Sequence, residues 1–169
     1  TDIEIWDQNR KRLFEFPKIE YSKRSLNSLI KTINFLKNKY TKINVKTIIV
    51  DDNSNSETLL QINNIIKGND IDIINLDYSK YQNIISQQKN KETFANLASL
   101  LQSFEIGKDA GEDLIYFIED DYLHFEPMLE EMVASYERIA SQLNKDIFMC
   151  PSDYPYLYMS NEKTNVLIG

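Results

Sequence analysis

Three consecutive carboxylates close the apolar run Tyr116-Phe117-Ile118-Glu119-Asp120-Asp121, and a second acidic stretch, Asp51-Asp52-Asn53-Ser54, follows Val45-Lys46-Thr47-Ile48-Ile49-Val50. Buried together, such acids would repel one another and lose hydration at a cost of several kcal/mol each. They belong instead at the exposed carboxyl ends of strands, the edge where open α/β sheets take ligands. A hard divalent ion held by one or two carboxylates plus substrate phosphates suits Glu119-Asp120-Asp121. A solvated acidic turn suits them as well. The loop at Asp51–Ser54 can accept hydrogen bonds from a nucleobase N–H or a ribose hydroxyl, so a nucleoside-diphosphate compound would satisfy both stretches at once.

The elements that must position these loops can be read from periodicity. Residues 1–21 scatter Trp6, Phe14, Phe16 and Tyr21 without a sustained repeat and read as a long loop. From about Ser22, Leu26, Leu29, Ile30, Ile33 and Leu36 recur at helical spacing. The β-branched stretch Val45–Val50 reads as a strand, and Ser54 with Glu57 has capping-box spacing ahead of a helix carrying Leu59, Leu60, Ile62, Ile65 and Ile66 to a stop at Gly68. Ile71–Leu76 suits another strand, while Tyr78–Asn90 shows no period. Phe94, Leu97, Ala98, Leu101 and Phe104 form a helical stripe from Lys91, closed by Gly107, and the strand Leu114–Ile118 then delivers the three acids. Pro127 opens a further helix through Leu143. Asp146–Cys150 reads as a short strand, Pro151–Tyr158 as an aromatic loop, and Thr164–Ile168 as a last strand.

Strands alternating with helices predict an α/β domain: a mixed, mainly parallel sheet flanked by helices. Both acidic loops would then emerge on one edge. With 169 residues the chain suits one domain with a real core. A formal charge of −7 makes an extended nucleic-acid backbone an unsuitable partner, because that association is driven by Lys and Arg. No stretch approaches the roughly 18 consecutive apolar residues of a membrane span. Cys150 is the single cysteine, so no intrachain disulfide forms and no zinc-type cluster exists, which fits a reducing, cytoplasmic setting that includes the inner face of a membrane. The start Thr1-Asp2-Ile3-Glu4 has neither the basic end nor the apolar core of a signal peptide.

Val50-Asp51-Asp52-Asn53-Ser54 after an apolar strand, with Phe117-Ile118-Glu119-Asp120-Asp121 some seventy residues on, resembles the GT-A glycosyltransferases, particularly the family 2-like enzymes. The usual forms there are V-D-D-G-S and a D-x-D-type motif, and the likeness spans roughly residues 22 to 135. It implies a GT-A (Rossmann-like) fold over a single nucleotide-sugar-binding domain, 1–169, truncated at both ends. It further implies a hexosyltransferase-type enzyme moving a sugar from a nucleoside-diphosphate sugar, UDP-sugar favoured, to a glycan or other hydroxyl acceptor, with Mn²⁺ or Mg²⁺. By that likeness Asp51 or Asp52 contacts base and ribose, Asp121 is the main metal ligand, and Asp120 and Glu119 assist through water, ribose contacts or charge. The reaction requires a base for the acceptor hydroxyl; Asp153, in Pro151-Ser152-Asp153-Tyr154-Pro155, is the candidate, with loop capping as its alternative role.

The chain departs from that pattern in lacking a visible first strand with a Pro-Thr-Tyr-Asn-like ending, of which Ile3–Trp6 is at most a remnant, and in its short acceptor region. Tyr154, Tyr156 and Tyr158 offer either a sugar-stacking platform or ordinary packing. Lys89 and Lys91 read as exposed lysines, with phosphate contact as the alternative. His124, the sole histidine, is expected to pack and hydrogen-bond locally. Two other functions fit parts of the pattern: a catalytically incomplete nucleotide-sugar-binding module, and a phosphoacceptor receiver domain. The receiver reading fits poorly, since its acidic pair follows the first strand near the start of the domain.

Overall fold

A computed structural model describes residues 16–85 and 91–150. The first helix, α1 (Lys18–Lys39), begins directly after Pro17, four residues earlier than the apolar stripe alone indicates. It buries Leu26, Leu29, Ile33 and Leu36 along one face. Strand β1 (Thr47–Asp51) follows, then α2 (Ser56–Ile66), β2 (Ile71–Asn75), a single turn α3 (Tyr78–Tyr81), α4 (Lys91–Ala110) and α5 (Met128–Leu143). The strands pair in parallel, Thr47 opposite Ile71 through Asp51 opposite Asn75. The result is a mixed α/β arrangement around a small parallel sheet, two-stranded among the described residues.

Helices cover both faces of that sheet. Val50 packs on the cluster of Leu76, Tyr81, Ile85 and Ala98 that α4 helps to build. Thr47, three positions earlier and so on the opposite pleat, lines a cavity of about 240 Å³ with Ile30 and Ile33 of α1. On that side Leu29, Ile33 and Leu36 pack against Leu129 of α5, with Ile43 and Val45 beside them. No helix among the described residues is long and apolar enough to cross a membrane.

Two expected strands are not formed. Leu114–Ile118 and Asp146–Cys150 carry no ladder pairing. The first instead lies along the end of α4, where Phe117 meets Phe104 edge-on at 4.8 Å between ring centroids. Gly107 permits this approach: a Cβ there would stand 2.8 Å from Phe117 Cζ. Gly107 therefore serves close packing rather than ending the helix, which runs on to Ala110. Helix contact replaces strand pairing as the outlet for these apolar side chains, and it covers them only in part, leaving Leu114–Ile118 between 37 and 49 % exposed. Ile3–Trp6, Lys89, Asp153, the tyrosines at 154, 156 and 158, and Thr164–Ile168 lie outside the described residues.

Candidate functional site at the carboxyl edge of the sheet

Asp51 and Asp52 occupy successive positions at the end of β1 and therefore diverge to opposite faces. Asp51 is 6 % exposed. Its Oδ2 accepts the Ser54 amide at 3.1 Å, and its carbonyl accepts the Leu76 amide at 2.8 Å, so it shapes the loop from within. Between them and α2, Asn53 adopts φ 52°, the left-handed region that Gly and Asn tolerate best. Helix α2 is capped by Asn55, whose side chain accepts the Thr58 amide at 2.7 Å. The expected cap at Ser54 is thus displaced by one residue, to Asn55.

Asp52 turns to the α4 side and accepts a hydrogen bond from the Tyr78 hydroxyl. Sequence periodicity gave no role to Tyr78, yet the local signal was present: Asp77 caps a single turn by accepting from the Ser79 amide at 3.0 Å and its hydroxyl at 2.6 Å. That Asp-x-Ser spacing marks a turn. Gln102 of α4, 7 % exposed, secures the strand end from the other side. It accepts the Asp77 amide at 2.8 Å and donates to the Asn75 carbonyl at 3.0 Å. The Tyr78 ring stacks on Phe94 of α4 at 5.8 Å and 14°. Burial, and then the Asp52 carboxylate, push the Tyr78 phenol up to about 12, so it remains a proton donor at neutral pH.

Glu119, Asp120 and Asp121 are all exposed. Asp120 is fastened to the first turns of α1, accepting from the Ser22 hydroxyl at 2.8 Å and pairing with Lys18 Nζ at 3.3 Å. The stretch that follows runs along α1: the His124 amide donates to Ser28 Oγ at 3.0 Å, His124 Nδ1 stands 3.3 Å from the same hydroxyl, and the Leu129 amide donates to Thr32 Oγ1 at 3.2 Å. Ser22, Ser25, Ser28 and Thr32 recur at three- and four-residue spacing, a hydroxyl stripe beside the apolar one. His124 packs edge-on against Tyr116 at 6.0 Å, with Nε2 3.3 Å from its hydroxyl, and burial depresses its pKa. It packs on Tyr116, eight residues before it, but its hydrogen bonds extend to Ser28 on α1, 96 residues away, rather than staying local.

The direction of α1 relates the two acidic loops. Lys23 reaches Gln61 midway along α2, whereas Ile33 adjoins Asn69, Thr47 and Ile71 at the amino ends of the strands. Helices α1 and α2 thus run the same way, opposite to the strands. Ser22 lies eleven residues, about 16 Å of helix, before Ile33, while β1 rises about 13 Å from Thr47 to Asp51. Ser22, and with it Asp120, therefore lies on the carboxyl side of Ile33 along the sheet, beside the middle of α2. Asp52 is held on the Tyr78 side, next to α4, and Asp120 on α1. No protein-family profile, curated protein or solved structure matches the chain.

Of the sequence-derived site residues, Asp51 and Asp52 lie at the carboxyl end of β1, Asp120 is held to the first turns of α1 with Glu119 and Asp121 on either side of it, and Asp153 lies outside the described residues. Three His, Cys, Asp or Glu side chains do not converge as a ready-made metal centre among the described residues. Mg²⁺ and Mn²⁺ do not require one: one or two carboxylates with substrate phosphates and water complete their shell. Glu119 and Asp121 are exposed carboxylates, the hard oxygen donors such ions take. Asp120 is already shared with Lys18 and Ser22, which makes it a support for that segment.

Proposed function

We propose that the two acidic loops form one rim that binds a nucleoside-diphosphate sugar with Mg²⁺ or Mn²⁺ and that the chain is a GT-A-like glycosyltransferase of hexosyl type. What supports the reading is Asp52 just past the carboxyl end of β1 in a parallel sheet, the edge at which α/β sheets bind nucleotides, together with a second acidic loop held to α1 through Lys18 and Ser22. Asp52 would accept from the base and Asp51 would keep its loop in shape. Glu119 and Asp121 would hold the ion, which when bound neutralises the diphosphate as negative charge grows on it. Transfer to an acceptor hydroxyl breaks the anomeric bond through an oxocarbenium-like state. The acceptor must then lose a proton, and Asp153 is the carboxylate that the sequence offers for it.

The test is melting temperature with UDP-sugars, with and without Mn²⁺. Saturation at about 100 times Kd should stabilise the protein by about 2.7 kcal/mol, and only when metal is present. Asp121→Ala should erase that shift while the ligand-free melting temperature stays the same. Absence of any metal-dependent shift in the wild type overturns the reading. Tight nucleotide binding with no sugar transfer selects the binding module instead.

A further inference from the structure

We infer that Tyr78 sets the base preference of this site, by filling one oxygen of Asp52 so that the carboxylate meets a ligand with a single acceptor. The inference rests on the nucleotide reading above and adds a positioning residue to it. The Tyr78 hydroxyl donates to Asp52 Oδ1, and Asn53 Nδ2 stands 3.5 Å from the same atom. Both contacts fall on Oδ1, so Oδ2 is the oxygen that a base would use. The phenol cannot easily withdraw. Its ring stacks on Phe94, and the backbone that carries it is tied to Gln102 and capped by Asp77.

The consequence lies in donor geometry. Guanine presents N1–H and the 2-amino group side by side and gains most from a carboxylate with both oxygens open. Uracil presents one N–H between two carbonyls and needs one acceptor. A carboxylate half-occupied by a phenol therefore forfeits the bidentate gain of guanine and keeps the single bond of uracil. The group that filters the base is a tyrosine that need not touch it.

Titration calorimetry with UDP and GDP in the presence of Mn²⁺ tests this on the full chain. The wild type should bind UDP about tenfold more tightly than GDP. Tyr78→Phe keeps the ring and its stack but deletes the donor; GDP should then gain about tenfold, the scale of one bidentate base contact, with UDP moving less than about threefold. A UDP-to-GDP ratio that stays within about twofold of the wild type, or a wild type that prefers GDP, overturns the inference and leaves the nucleotide reading standing. Failure of the wild type to bind either nucleotide removes both. Should Tyr78→Phe not melt cooperatively, Asp52→Asn decides: with the phenol still on Oδ1, the amide turns a donor toward the base, so UDP binding should weaken at least about tenfold, and unchanged UDP affinity sinks the proposal.

Discussion

The two acidic loops contain the same kind of residue and are supported in opposite ways. Asp51–Asn55 is built into the frame: it leaves a paired strand, closes on itself through Ser54, and enters a capped helix within five residues. Glu119–Asp121 follows a stretch with no ladder pairing and is suspended from α1 by Lys18 and Ser22, and the chain after it by Ser28 and Thr32. The first is positioned by backbone, the second by side chains distant in sequence. A site made from both couples a fixed half to an adjustable one.

Substitutions can separate the two. The largest effect is expected at Tyr81, fully buried beneath the first loop with its hydroxyl on Glu105 at 2.6 Å. Tyr81→Ala should cost about 3–5 kcal/mol in denaturant unfolding, as for other buried aromatics, and should weaken the fixed half with the rest of the fold. Thr32→Val removes only the acceptor for the Leu129 amide in a fully buried setting. It should cost about 1–3 kcal/mol in denaturant unfolding, and metal-dependent ligand binding should fall while the Tyr78–Asp52 base preference persists.

Acidification probes the suspended half more gently. Burial disfavours the charged His124 imidazole, so the unfolded chain holds more protons than the folded one just below about pH 6.5. Stability should therefore decline as pH falls from about 6.5 toward the depressed folded value, and a melting-temperature series with His124→Gln should show a flatter decline. The smallest effect is expected at Lys18. Its partner Asp120 is half-exposed, and Lys18→Ala should change stability by less than about 1 kcal/mol while loosening the metal response.

The contrast also explains what the sequence could disclose. Helices α2, α4 and α5 and the loop after β1 follow from local pattern: apolar residues at helical spacing, a β-branched run, and polar residues suited to a turn. Leu114–Ile118 could not be resolved in the same way, because an apolar run reads alike whether it pairs in a sheet or lies against a helix. Its contact with Gly107 and Phe104 is a tertiary choice. Ser22, Ser28 and Thr32 were visible as hydroxyls at helical spacing, but nothing local announced what they would hold almost a hundred residues later. Tyr78 was hidden by its aperiodic surroundings, although Asp77 and Ser79 marked the turn that presents it.

The hydroxyl stripe on α1 has one more implication. Since an amide-to-hydroxyl bond, rather than a strand ladder, fastens His124 to the helix, while Leu129 is held in the core with α5, residues 119–126 form the stretch whose local opening would leave the sheet and its helices folded. Such partial opening needs less free energy than global unfolding. A bound molecule spanning the rim would act as a clasp across it, and amide hydrogens near α1 would register that closure by exchanging more slowly.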